Sequence, residues 1–250
     1  MNILIIIFLS IVQGITEWLP VSSSGHLVLF ENLLKFSESS LSFDVFLHLA
    51  SLVVIVLFFK AEIKEIFTLG FKKKSRDPRH DWFWLMVLSS IVTAVFGLIF
   101  YQNMEFFRTT ESVAGWLLVT SILLLATKFT KGNKSIKWPH AIALGMAQGF
   151  AVLPGLSRSG AVIAIALAMK INKKDAFDYA FILAIPAILA SFILTFKDFA
   201  FDWWYLLGFV VTVVVGYYSL VLLKLIINKS YFYLFFIYTL VLSLIIKLIL

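Results

Sequence analysis

Two stretches of this chain, 82–101 and 203–223, carry no charged residue at all. At ~1.5 Å of rise per residue, a helix of about twenty residues covers the ~30 Å hydrocarbon core of a bilayer. A backbone in lipid must satisfy its own hydrogen bonds, so runs of this kind fold as helices. Composition agrees: 61% of the residues are hydrophobic and 14% charged, against about 45–50% and about 25% in soluble domains. The chain is therefore expected to be an all-α integral membrane protein. It has no cysteine, which excludes disulfide and thiolate chemistry. Its first apolar stretch lacks a basic leader and runs into Gln13, Glu17 and Pro20, so it reads as part of the folded protein.

Six segments read as full spans: about 42–59, 82–101, 113–127, 176–196, 203–223 and 231–250. Two more apolar regions, 2–34 and 138–169, are interrupted by Pro, Gly and Ser, and neither half of either reaches comfortably across a bilayer. Each is read as a re-entrant helix-loop-helix that enters and leaves on one side. Charge tests this. With 60–81 in the cytoplasm, the inside loops hold Lys60, Lys64, Lys72, Lys73, Lys74, Arg76, Arg79, Lys128, Lys131, Lys134, Lys137, Lys170, Lys173, Lys174, Lys224 and Lys229. The outside loops hold only Lys35, Arg108 and Lys197, a bias of 16 to 3. Counting a broken region as a full span would scramble that alternation. The net charge of +7 thus reflects orientation, and no nucleic-acid partner is expected.

The broken regions repeat one another. Gln13-Gly14, Leu19-Pro20 and Ser22-Ser23-Ser24-Gly25 in the first answer to Gln148-Gly149, Leu153-Pro154 and Ser157-Arg158-Ser159-Gly160 in the second. A Phe-Asp pair follows each, Phe43-Asp44 and Phe177-Asp178. The period is about 135 residues, so residues 1–250 form a single membrane domain of two repeats, 1–127 and 138–250. Each repeat holds one re-entrant pair and three spans. Three is odd, so the second repeat is inverted, an architecture whose polar site lies where broken helices meet.

The residues at those breaks suggest phosphate chemistry. Glu17 shares a helical face with Gln13 at i, i+4, and an ionisable group at membrane depth is a functional candidate. A purely structural Glu17, bracing the bundle through Arg158, is the plain alternative. Ser22, Ser23, Ser24 and Gly25 can cradle an anion at a helix start or simply cap it. His26 can move protons near neutral pH. Arg158, flanked by Ser157 and Ser159 and followed by Gly160, is a natural phosphate clamp because its planar fork is always charged. Together they fit phosphoryl transfer, where positioning and charge stabilisation dominate.

The string Gln13 to His26, taken with Pro154-Gly155-Leu156-Ser157-Arg158-Ser159-Gly160, resembles the undecaprenyl-diphosphate phosphatases of the bacitracin-resistance family over essentially the whole length. The resemblance implies hydrolysis of undecaprenyl diphosphate to undecaprenyl phosphate and inorganic phosphate. That recycles the lipid carrier for peptidoglycan synthesis and confers bacitracin resistance. It implies a multi-pass protein of the bacterial plasma (inner) membrane, a site opening outward to the periplasmic side, and a divalent cation, Mg²⁺ or Ca²⁺. It makes Glu17, Ser23, His26 and Arg158 catalytic and Ser22, Ser24, Gly25, Ser157, Ser159 and Gly160 substrate-binding. Glu17 and Gln13 would meet the metal, although Gln13 stands where many relatives have Glu. Besides the lipid substrate and membrane lipid, a homodimer is left open. The rival from another class is a transporter or flippase of an anionic polyprenyl lipid, which inverted repeats also suit. His48, His80 and His140 take bland structural or interfacial readings, and Asp44 and Asp178 are candidates for orienting the loops.

Overall fold

A computed structural model describes residues 3–34, 40–72, 77, 79–101, 104–195 and 202–249. Lys35, Lys73, Lys74, Arg76 and Lys197 of the charge count lie outside them. The described residues form helices joined by short turns, with one isolated bridge between Lys134 and Ile171. In order these are α1 (Ile3–Thr16), α2 (Ser23–Leu34), α3 (Ser40–Phe58), α4 (Lys60–Gly70), α5 (Trp82–Tyr101), α6 (Met104–Phe107) and α7 (Thr110–Ala126). Then follow α8 (Trp138–Phe150), α9 (Arg158–Ala168), α10 (Lys173–Ile182), α11 (Ala184–Thr195), α12 (Trp204–Asn228) and α13 (Phe235–Ile249). Among the described residues four helical segments are long and apolar enough to cross a membrane: Trp82–Phe100, Thr110–Phe129, Lys173–Thr195 and Trp204–Asn228. Ser42–Phe58 joins them as a fifth if paired with α4, from which it is bent by 75°. The protein is a multi-pass membrane protein.

Both interrupted regions break where expected. The halves of 14 and 12 residues (α1, α2) and of 13 and 11 residues (α8, α9) are each only about 17–21 Å long at 1.5 Å per residue. The turns between them are fixed by left-handed backbone at Ser22 (φ 69°) and Gly155 (φ 98°). Ser157 restarts the second helix, its hydroxyl accepting from the Gly160 amide at 3.1 Å.

Two expectations need correction and one is refined. Residues 60–81 are not all loop: α4 folds there, burying Ile66 and Leu69 beneath a charged face of Lys60, Glu62, Lys64 and Glu65. The span at 176–196 stands within Lys173–Thr195, but its helix is interrupted at Leu183. Pro186 has no N–H for the carbonyl of Ile182, and the neighbouring Leu183 carbonyl accepts instead from Gln148 Nε2 at 3.1 Å. The last segment opens with a 3₁₀ turn at Phe232–Leu234, leaving α13 only 15 residues.

Each broken hairpin packs on a long helix of the other half, α1 against α12 and α8 against α5. Helices in lipid gain nothing from burying apolar surface against each other, so close approach of small residues and interhelical hydrogen bonds hold them. Thr212 on α12 donates to the carbonyl of Ser10 on α1 at 3.1 Å. Thr93 on α5 donates to the carbonyl of Gly145 on α8 at 3.0 Å. Ser10 and Gly145 are one sequence period apart, so the same bond occurs twice. Thr93→Val and Thr212→Val should each cost about 1 kcal/mol and add in the double variant, being separate sites. Unfolding in detergent checks this, and a double variant as stable as wild type would show that neither bond matters.

The loops sort to two ends. Arg79 binds Asp178 at 2.7 Å and Asp175 at 3.2 Å, Lys134 donates its amide to the Lys170 carbonyl at 2.9 Å, and Lys173 binds Ser230. These loops all belong to the lysine-rich set. Arg108, from the other set, binds Glu31 at 3.2 Å and approaches Asp44 at 3.6 Å. At the lysine-rich end His80 hydrogen-bonds Asp81 and the Lys72 carbonyl, which raises its pKa.

Candidate active site

The two breaks touch. Ser22 Oγ accepts from the Gly155 amide at 3.0 Å and from the Gly25 amide at 3.3 Å, so one hydroxyl ties the first turn to the second. A Cβ on Gly25 would stand 3.0 Å from the Gly155 nitrogen, so the two turns would have to move slightly apart to admit it. Thr120 of α7 braces the second turn, donating to the Gly155 carbonyl at 2.9 Å and accepting from the Ser157 amide at 3.0 Å.

Across this contact Glu17 and Arg158 form an ion pair through Glu17 Oε1 and Arg158 Nη2. The other carboxylate oxygen, Oε2, accepts from Ser23 Oγ at 2.6 Å and from Gln13 Nε2 at 3.2 Å. Glu17 is buried, and the Arg158 side chain is only 16% exposed. A charge removed from water costs several kcal/mol unless paired and hydrogen-bonded, so carboxylate and guanidinium each require the other. Arg158 also lies over the ring of Phe181, 5.8 Å from its centroid, and Phe181 packs on Trp18. Its Nη1 is buried with no hydrogen-bond partner. Unpartnered donors on a buried cation are rare, and they suit an anion of the size of phosphate.

The remaining predicted residues fall into two groups. Ser157 caps α9, Ser159 donates to the Trp18 carbonyl at 3.3 Å, and Gly160 packs against Pro20. Ser24 is half-buried, with its Oγ 3.4 Å from Ser22 Oγ. These residues build the junction. His26 stands apart, because its Nδ1 donates to the Ser22 carbonyl at 2.8 Å and its Nε2 meets the Tyr238 hydroxyl at 2.7 Å. Gln148, the repeat partner of Gln13, holds α11 rather than the site. For a metal, Gln13 contributes a buried Oε1 without a partner, next to Glu17. Among the described residues no three His or acidic side chains are grouped to cage an ion. Two protein oxygens with the rest from substrate phosphates is the usual arrangement for Mg²⁺, and Gln13 with Glu17 fits it.

A sequence profile described as "Bacitracin resistance protein BacA" matches residues 6–245. The chain belongs to that family. Relatives named undecaprenyl-diphosphatase include one from Desulforapulum autotrophicum, 39% identical, covering 92% of this chain and 91% of the relative. Another from Methanosphaera stadtmanae is 37% identical, covering 89% of each. A third, from Halothermothrix orenii, is 37% identical over 79% of this chain and 76% of its own length.

Around the contact between the two breaks the geometry adds residues to those marked in the sequence. His48, expected only to hydrogen-bond a neighbour on its apolar span, does so, its Nδ1 donating to the Asp44 carbonyl at 2.7 Å, and its Nε2 also lies 3.5 Å from Glu17 Oε2. The signal was there: Asp44 and His48 are i, i+4 on one helix, just after the repeated Phe-Asp pair. Asp44 itself reaches Arg108, whereas Asp178 is held by Arg79 at the opposite end. Tyr238 and Thr120 had no local signal at all.

Proposed function

We infer that this protein is an undecaprenyl-diphosphate phosphatase, a membrane hydrolase that returns the prenyl carrier to its monophosphate form for peptidoglycan synthesis. One observation carries the residue-level reading: a single buried carboxylate, Glu17, is bonded at once by the Ser23 hydroxyl and by Arg158, which keeps one nitrogen unpartnered. In this reading Arg158 grips the terminal phosphate through its free Nη1. Glu17 accepts the Ser23 proton along the 2.6 Å bond, and Oγ, or a water it holds, attacks phosphorus. The bond from phosphorus to the bridging oxygen breaks, and prenyl phosphate leaves. Attack by water releases inorganic phosphate directly; attack by Oγ leaves a phosphoserine, which a water deprotonated at Glu17 then cleaves, freeing phosphate as Oγ regains its proton. A charged donor aimed at the transferring group, in a site closed to bulk water, stabilises the transition state more than the ground state. Gln13 Oε1 and Glu17 would hold a divalent cation, whose charge would offset that of the diphosphate.

For the architecture we propose six spans and two re-entrant pairs arranged as inverted repeats. The duplicated threonine bonds, the exchange of hairpins between halves and the short hairpin helices support this. The site would open toward the Arg108 end, away from the lysine-rich loops, hence to the periplasmic side.

Purified protein should release phosphate from a prenyl diphosphate and lose that activity with chelator. Ser23→Ala should reduce turnover at least about 10²-fold, the usual weight of a lost nucleophile or proton-handling group. A fully active Ser23→Ala protein would remove the hydroxyl from the mechanism. Chelator-insensitive turnover would remove the cation.

A further inference from the structure

The site described so far leaves His26 without a task, and its surroundings show why. It is 4% exposed, and both ring nitrogens are engaged. A carbonyl can only accept, so the Ser22 carbonyl fixes the proton on Nδ1. The neutral ring then offers a lone pair at Nε2, and the Tyr238 hydroxyl donates to it. The two rings are parallel within 9°, with centroids 5.7 Å apart. Tyr238 comes from α13, 212 residues further along the chain, and is 49% exposed on an apolar outer face shared with Ile237 and Val241. Val28 and Leu29 of α2 meet Leu242 and Ile246 of α13 in one apolar cluster, which Val113, Ala114 and Leu117 of α7 complete.

A lipid diphosphate has its head in a polar site and its chain in hydrocarbon, so it must cross the wall of the site sideways. Tyr238 is a wall residue of the required kind, bonded inward to a site residue and exposed outward. We propose that Tyr238 is a displaceable latch on His26 and the positioning residue at the lateral entrance of the site, an inference that rests on the phosphatase reading. In the closed state its hydroxyl occupies Nε2. As the diphosphate enters along the α2–α13 seam, that hydrogen bond breaks. The attacking water or a protonated phosphate oxygen then donates to Nε2, while the tyrosine ring lies along the first isoprene units.

The test uses the full chain in detergent micelles with farnesyl diphosphate as substrate. Tyr238→Phe keeps the ring and removes the competing hydroxyl. KM is expected to fall about fivefold, the equivalent of one neutral hydrogen bond, with kcat within about twofold. An unchanged or raised KM overturns the latch. In a second measurement, the ¹⁵N resonance of His26 Nε2 is followed during titration with farnesyl phosphate. At saturation the wild-type signal should have moved to the position found in ligand-saturated Tyr238→Phe, where the same new donor meets Nε2, and a signal that stays put at saturation overturns the proposal. If the wild type releases no phosphate from any prenyl diphosphate, the phosphatase reading fails. The resonance titration still decides whether Tyr238 yields to a lipid phosphate.

Discussion

Arg158→Ala is expected to lower phosphate release from a prenyl diphosphate by about 10³-fold or more, the usual effect of removing a cation that stabilises a transferring phosphoryl group. Two losses combine in that number. The substrate loses the donor now unpartnered at Nη1. Glu17 also loses its counter-ion and is left as a buried carboxylate held by Ser23 and Gln13, which costs about 3–5 kcal/mol when one partner of a buried pair is removed. Arg158→Lys should recover little, because an ammonium cannot bond Glu17 and a phosphate together through a planar fork. The pair acts as a unit, so Arg158→Ala combined with Glu17→Gln should be far less damaging than the product of the single effects. Circular dichroism establishes that the helices persist, and phosphate release gives the rates. Wild-type turnover in Arg158→Ala would dismantle the proposed site.

Gly155→Ala should be strongly disruptive for the addition of a single methyl group. At φ 98° an L side chain is strained, by an amount on the order of 1–3 kcal/mol. The new Cβ would also stand 2.4 Å from the Val113 carbonyl oxygen and 2.9 Å from the Trp116 Cβ. Neither neighbour can retreat easily, since Val113 is fully buried in α7. The turn must shift, and with it the amide that holds Ser22 and the start of α9 that carries Arg158. Both the unfolding temperature and the activity should drop sharply. Gly115→Ala, on the same helix that Gly155 presses against, is the control: a Cβ there meets nothing within 4 Å and should be neutral or slightly stabilising. Equal behaviour of the two variants would show that the turn is not constrained as described.

What could be read from the sequence followed from local chemistry. Pro20, Pro154 and Gly155 weaken a helix and the serines beside them favour a new helix start, so the breaks were legible, and their repetition brought Glu17 and Arg158 together. The bend after Phe58 and the break near Leu183 were not. One arises where an amphipathic helix turns aside, and the other depends on Gln148 reaching a carbonyl freed near Pro186. His48 was hidden for a different reason. An apolar span has no polar face to reveal its orientation, so only packing shows that His48 faces Glu17. Tyr238 and Thr120 act across long sequence separations, and nothing in their own neighbourhoods marks them. Their partners, His26 and Ser157, stand out in the sequence, but what holds them does not.

The interlocked hairpins bear on ancestry. If the two halves descend from one gene copied in tandem, their ancestor would have been a pair of identical chains facing each other head to toe. In such a pair the contact between position 17 of one copy and position 23 of the other would occur twice. Here it occurs once, because Ser23 stands at the position of Arg158 and Val152 at that of Glu17. Fusion into one polypeptide let the copies change separately, so a single carboxylate and a single guanidinium meet where a symmetric pair would hold two of each or none.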